Sequence, residues 1–277
     1  MSYGKAIELF WADGTSDGII TAELSNWNGK GIKIPRTEVM ACQREDICGP
    51  GVYFLLCQED DGTDSVYIGE AENAHERLIQ HLRDYRAGKE KFYWNTAIVF
   101  VGRDLNKTLI RYMENRLVEI AKECGRYTLL TKNTYRNTVI KESQVAGMEE
   151  FIDNLEVLLN AMGYKILAPN PNPASDTVYL YCRSGSAEGK GFVSSGGFTV
   201  MKGSKVSDHL ANSFQTGAKS YYELRRKLEA DGTIAAGVFT RNYEFSAPSA
   251  ASAVVLGCAS NGKNVWKTEQ GLSLNNL

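Results

Sequence analysis

Gly51-Val52-Tyr53-Phe54-Leu55-Leu56-Cys57 and Ser65-Val66-Tyr67-Ile68-Gly69-Glu70 are two short apolar runs on either side of Asp60-Asp61-Gly62-Thr63. Each run is rich in β-branched and aromatic residues, and an Asp-Gly step between such runs signals a hairpin. Side chains alternate along a strand, so Tyr53 points away from Val52 and Phe54. Tyr67 and Gly69 likewise share a face opposite Val66 and Ile68. A hairpin therefore sets both phenols on one side of a sheet. Tyrosine is also a common half-buried strand residue, so neither phenol alone carries chemistry. Gly69 adds to the pattern, because a glycine in a strand lets another group approach the backbone closely.

Past the second run the pattern turns helical. Asn73 is an N-cap for a helix to about Ala87, with Ala74, Leu78, Leu82 and Tyr85 as its apolar stripe and Gly88 at its end. Arg77 and His81 are one turn apart beside that stripe, so both face the sheet edge. A guanidinium is a fixed fork of donors suited to phosphate. The plainer reading of Arg77 is an ion pair with Asp84 or Glu72. Ala97–Val101 reads as a third, buried strand. Asp104 or Asn106 then opens a helix that runs to about Cys124 and closes at Gly125. Inside it Glu114 emerges among Ile110, Leu117, Val118 and Ala121. A carboxylate on an apolar face is costly without a cation beside it. That cation is either Mg²⁺, completed by waters and a phosphate, or one of Arg77, Arg111 and Lys122. Lys89, Lys91, Tyr93 and Trp94 form a basic and aromatic group that suits unstacked bases, or a loop packed by its own rings.

Composition bounds these readings. The chain has 277 residues, 43% hydrophobic and 23% charged, which is ordinary for a globular protein of one large or two modest domains. No apolar run nears the ~18 residues of a membrane span, and the first residues lack a signal-peptide layout, so a cytoplasmic protein away from membranes is expected. Six scattered cysteines without Cys-x-x-Cys, and three histidines, argue against zinc and fit a reducing compartment. The net charge of −2 conceals a gradient. Residues 1–70 hold 5 Lys/Arg and 12 Asp/Glu, whereas residues 71–145 hold 14 and 9. The local excess of +5 surrounds Arg77, His81 and Glu114, where it favours a polyanion, or else forms solvated helix faces.

The flanks divide the chain. Residues 1–48 read as a β-rich extension, with strands at Ala6–Phe10, Ile19–Leu24 and Gly31–Pro35 and a short helix within 37–48. Residues 49–167 carry the motifs and end in a helix over Met148–Met162. Residues 168–177 hold three of six prolines and read as a linker. Residues 178–277 read as a smaller α+β domain. Its strands are Val178–Cys182, Gly191–Val193, Gly197–Met201 and Val238–Phe245, and its helices are Tyr221–Ala230 and Ala247–Leu256.

The motif set Gly51-Val52-Tyr53, Tyr67-Ile68-Gly69, Arg77, His81 and Glu114 resembles the GIY-YIG endonuclease family over roughly Gly51 to Asn133. Valine replaces the usual isoleucine of the first signature, and the second is an unaltered match. Asn133 is similar to the asparagine that closes many sites of that family. The opening strands with Ser25-Asn26-Trp27 resemble an N-terminal extension of a bacterial subgroup. The segment after 178 resembles an uncharacterised C-terminal domain often attached to it, marked by Ser249–Ala253 and by Asn261-Gly262 before Trp266.

The resemblance implies an α+β fold, a three-stranded mixed or antiparallel sheet flanked by helices. It implies Mg²⁺ or Mn²⁺ on Glu114 and hydrolysis of phosphodiester bonds in DNA. Tyr53 or Tyr67 would be the general base, with the Tyr53 phenol lowered by Arg77 and the metal. Arg77 would stabilise the transition state, His81 would orient the phosphate or a tyrosine, and Asn133 would complete the catalytic set. Gly69, Lys89, Lys91 and Trp94 are the expected substrate-binding residues. DNA strandedness is left open, and the C-terminal domain is a place for a protein partner. The alternative is a catalytically silent nucleic-acid-binding or protein-interaction module on the same scaffold.

Overall fold

The computed structural model describes residues 3–58, 64–131 and 139–277. The expected turn at Asp60–Thr63 and the candidate Asn133 lie outside the described residues. The fold is mixed α+β, and the chain divides into two compact units, Met1–Pro169 and Asn170–Leu277. The division falls inside the proline-rich segment.

The N-terminal unit runs β1 (Ile7–Trp11), β2 (Ile20–Leu24), β3 (Gly29–Pro35), β4 (Gly51–Gln58), β5 (Asp64–Ala71), α1 (Ala74–Arg86), β6 (Thr96–Gly102), α2 (Lys107–Cys124), β7 (Thr128–Leu129) and α3 (Glu142–Ala161). Its sheet has the order β1-β2-β3-β6-β4-β5-β7, antiparallel except for the parallel β5–β7 pair. The three strands expected for the motif region, β6-β4-β5, are neighbours within this wider sheet. The sheet is wider than the motif region implies, because β3 of the extension pairs with β6 from Gly29↔Gly102 to Pro35↔Thr96. In place of one short helix, residues 37–48 contribute to two 3-10 turns, Arg36–Glu38 and Glu45–Ile47.

Strand alternation sorts the core into two layers. Val52, Phe54 and Leu56 pack with α2 and α3 through Ile110, Met113, Leu117 and Leu155. Tyr53 and Leu55 pack on the other face with Leu78 and Leu82 of α1. Side-chain caps set the helix ends. Asn73 accepts from Glu76 N at 3.1 Å, Asn106 accepts from Thr108 N and Leu109 N, and Gly125 closes α2 with φ +60°.

One detail of this sheet makes room for a site. β7 pairs with β5 only at Ser65 and Val66, so from Tyr67 to Ala71 that edge has no strand partner among the described residues. The Thr131 hydroxyl satisfies Ile68 there, accepting from its N–H and donating to its carbonyl, both at 2.8 Å. Side chains from both faces converge at this open edge.

The C-terminal unit comprises β8 (Leu180–Ser184), β9 (Ala187–Ser194), β10 (Gly197–Val200), α4 (Asn212–Gly217), α5 (Lys219–Ala230), β11 (Ile234–Ala235), β12 (Val238–Phe239), β13 (Tyr243–Phe245), α6 (Pro248–Leu256) and α7 (Gly262–Val265). Its main sheet is antiparallel with the order β13-β10-β9-β8. The single strand expected over Val238–Phe245 is broken, since β12 pairs with β11 while β13 pairs with β10. Among the described residues no helix is long and apolar enough to cross a membrane.

Candidate functional site

A cleft of about 870 Å³ opens at the free half of β5, between α1 and α2. Tyr53, Tyr67, Arg77 and Glu114 all line it. The register explains the meeting of the tyrosines. Tyr53 lies directly opposite Gly69, where a Cβ would sit 2.5 Å from the ring carbon that bears the phenol. The group that Gly69 admits is thus the Tyr53 ring itself, so this glycine shapes the site rather than meeting a substrate. The two phenol rings stack at 6.2 Å with 26° between their planes, and Phe92 stacks on the far side of Tyr67 at 5.3 Å.

Helix α1 supplies a polar shell to Tyr53, which is 1% exposed. Arg77 Nε donates to the phenol oxygen at 3.2 Å, and His81 Nε2 meets the same oxygen at 2.9 Å. The Arg77 guanidinium also reaches the Tyr67 phenol. Neither Asp84 nor Glu72 takes it; Glu72 instead pairs with Lys107 at 2.9 Å. Behind His81 stands a residue that sequence reasoning missed. Glu90 Oε2 lies 2.7 Å from His81 Nδ1, with both side chains buried. The expected lowering of the Tyr53 phenol does not prevail. Burial pushes it well above its ordinary value, the Tyr67 phenol adds to the rise, and Arg77 opposes both.

Across the cleft α2 presents a carboxylate. Glu114 is 5% exposed, and its Oε2 is buried with no hydrogen-bond partner among the described residues. Burial pushes its carboxyl up to about 7 from 4.5. The Glu70 charge adds to the rise, and Arg111, Arg77 and Lys107 pull against it. Glu70 is a second missed residue, buried at the end of the free edge, also with an Oε2 that has no partner among the described residues. Its Oε1 lies 3.6 Å from both Lys107 Nζ and Arg111 Nε. The signal for it lay in α2, where Lys107, Arg111 and Glu114 recur at one-turn spacing and set two cations and an anion on one stripe. Each carboxylate offers oxygen donors of the type that Mg²⁺ and Mn²⁺ take, and among the described residues no group of three or more histidine, cysteine or carboxylate side chains is placed to hold a metal ion.

The expected basic and aromatic patch is divided. Exposure alternates from Lys89 to Asn95, so Glu90, Phe92 and Trp94 turn inward while Lys89, Lys91 and Tyr93 face solvent. Trp94 is fully buried, with the Arg36 guanidinium 4.5 Å from its ring, so it has no face to offer a base. The same alternation is the sequence signal that would have found Glu90.

Residues 180–277 match a family described as a domain of unknown function, DUF4357. This accords with the uncharacterised C-terminal domain expected there. No curated protein and no solved structure matches the chain.

Proposed function

We propose that the N-terminal unit is a metal-dependent GIY-YIG endonuclease that hydrolyses phosphodiester bonds in DNA. One observation carries the reading: the open carboxylate of Glu114 shares a cleft with an arginine-bound, histidine-bound phenol. A binding module has no need of a buried carboxylate with an open oxygen, since each such group costs stability.

Glu114 would hold Mg²⁺ or Mn²⁺, with Glu70 beside it. When bound, the cation would polarise the phosphoryl and leaving oxygens. The protein's own residues do the rest. Arg77 is a fixed positive charge beside the phosphate and stabilises the charge that develops in the transition state. Tyr53 faces the attacking water and takes its proton, with His81 at its back. Because burial disfavours a free phenolate, Tyr53 does not wait as an ionised base; proton gain and loss at its oxygen occur together. Tyr67 braces the ring of Tyr53 by stacking.

The test is cleavage of labelled single-stranded DNA, duplex DNA and RNA with Mg²⁺ or Mn²⁺, wild type beside Glu114→Ala. Cutting is expected from the wild type and is lost both in the variant and with a chelator. Cutting that survives in Glu114→Ala sinks the assignment of the metal. Retarded DNA with no cutting by wild type on any substrate favours the silent binding module.

A further inference from the structure

We infer that Glu90 is the positioning residue of the site, fixing His81 in the one tautomer that can receive the Tyr53 proton. The inference deepens the nuclease reading and rests on it for its catalytic meaning. The geometry behind it stands independently.

Donors and acceptors along four groups fix where the protons sit. A guanidinium only donates, so the Arg77 contact at 3.2 Å makes the Tyr53 oxygen an acceptor on that side. The phenol's own proton is then available for its other neighbour. The 2.7 Å contact of His81 Nδ1 with Glu90 Oε2 suits a proton on Nδ1 donated to the carboxylate oxygen. In a neutral imidazole this leaves Nε2 bare, 2.9 Å from the phenol oxygen. The chain Arg77, Tyr53, His81, Glu90 thus accommodates this assignment. In it every hydrogen bond points away from the cleft toward the buried carboxylate.

Burial protects this arrangement. The side chains of His81 and Glu90 are 5% and 9% exposed, so water does not compete for either contact. The pairing is not a product of helix periodicity. His81 belongs to α1, while Glu90 lies beyond the helix end, where Lys89 N and Glu90 N both bond back to the Asp84 carbonyl. That doubled turn reverses the chain and brings Glu90 back along the helix. Phe92 then stacks on Tyr67, and Trp94 seals the core beneath. One short segment therefore braces both tyrosines, one through a histidine and one through a ring.

In the reaction, the phenol proton of Tyr53 passes to His81 Nε2 as the water proton passes to the phenol oxygen. The water oxygen forms its bond to phosphorus, and the bond from phosphorus to the ester oxygen breaks. The departing oxygen takes a proton from solvent, and the imidazolium, held against Glu90, later releases its own. Without Glu90 the ring is free to flip or to adopt the Nε2–H tautomer, which cannot accept.

The chain has three histidines, so nitrogen-15 spectra of labelled protein resolve His81, assigned with His81→Asn. The wild type is expected to show the Nδ1–H tautomer, Glu90→Ala a mixture, and Glu90→Gln mostly Nδ1–H, since an amide oxygen still accepts. In the cleavage assay Glu90→Ala is expected to lose about 10²-fold in kcat with KM within about twofold, and Glu90→Gln to recover part of it. A wild-type Nε2–H tautomer, or a tautomer or kcat unmoved in Glu90→Ala, overturns the inference. Failure of the wild type to cut any substrate sinks the nuclease reading instead. The spectra then decide the placement of Glu90 alone.

Discussion

Glu114 in the N-terminal unit and Arg225 in the C-terminal unit are equally buried, each 5% exposed, and the two units treat them in opposite ways. Arg225 sits on α5 and is fully engaged. It donates to the Ser207 carbonyl at 2.6 Å, to the Val254 carbonyl near the end of α6 at 3.2 Å, and to Glu229 one turn along its own helix at 3.1 Å. Its charge serves as a strut between segments far apart in sequence. Glu114 has an oxygen that none of the described residues satisfies, and burial and Glu70 both press against its ionisation. The contrast extends beyond these two residues. Among the described residues, the buried carboxylate oxygens without a hydrogen-bond partner belong to Glu70, Glu90 and Glu114, all in the N-terminal unit. Native folds satisfy nearly all their buried polar groups, and two of these three carboxylates, Glu70 and Glu114, line the same cleft, while Glu90 stands behind His81.

The sharpest way to break this comparison is to remove each charge in turn. Glu114→Gln is expected to abolish cleavage, by about 10³-fold or more, while leaving the fold intact. It should also remove a pH effect. A carboxyl whose folded value is raised to about 7 holds its proton more tightly folded than unfolded. Stability therefore falls as pH rises from about 4.5 to about 7. In chelator, the glutamine variant should melt higher than wild type at pH 8 and show no such advantage at pH 4. Arg225→Met should do the converse. It should cost the C-terminal unit about 3 kcal/mol, because the Ser207 and Val254 carbonyls lose their donor, and should leave kcat per folded molecule unchanged. A glutamine variant less stable than wild type at pH 8 would show that the Glu114 carboxylate has a partner after all, and the contrast would collapse.

Gly69→Ala is the next largest expected effect, and it separates space from charge. The added methyl would meet the Tyr53 ring at 2.5 Å, and the ring is held by Tyr67 and His81. Overpacking of this kind costs about 1–3 kcal/mol, and relief requires the phenol to move off Arg77 and His81. Thermal melts should therefore fall, and kcat should fall further than the folded fraction explains. An unchanged melting temperature would show that the ring yields freely, and that the hydrogen bonds rather than the glycine set its place.

How much of this is legible in the sequence follows the range of each interaction. The hairpin, the caps at Asn73 and Asn106, the stop at Gly125 and the shared face of Arg77 and His81 are local, and period and cap chemistry reveal them. The convergence of Glu114 with Tyr53 is legible only through family resemblance, because the two arrive from opposite faces of the sheet. Three features escape. The join of β3 to β6 depends on pairing between residues about seventy positions apart, which no local pattern carries. The break between β12 and β13 escapes because β12 folds back on β11 while β13 pairs with β10, a change of partner hidden in a continuous run of strand-forming residues. Glu90 and Trp94 escape because a segment outside any regular element still alternates, and composition alone does not give its phase.

That phase sets the smallest prediction. Lys89 and Lys91 share a segment with Glu90 but face solvent, so their contribution is electrostatic and remote from the core. Lys89→Ala with Lys91→Ala should change stability by no more than about 0.5 kcal/mol. In a Glu114→Gln background, where nothing is cut, duplex binding should weaken, and its dependence on salt should flatten by about 0.9 for each phosphate no longer neutralised. Restored to an active background, the pair should leave kcat unchanged and raise KM, because neither lysine touches the proton relay. A salt slope identical to that of the parent would mean that the outer face of this segment does not meet the duplex. The local excess of positive charge would then be a solvated surface, and recognition would rest on the cleft itself.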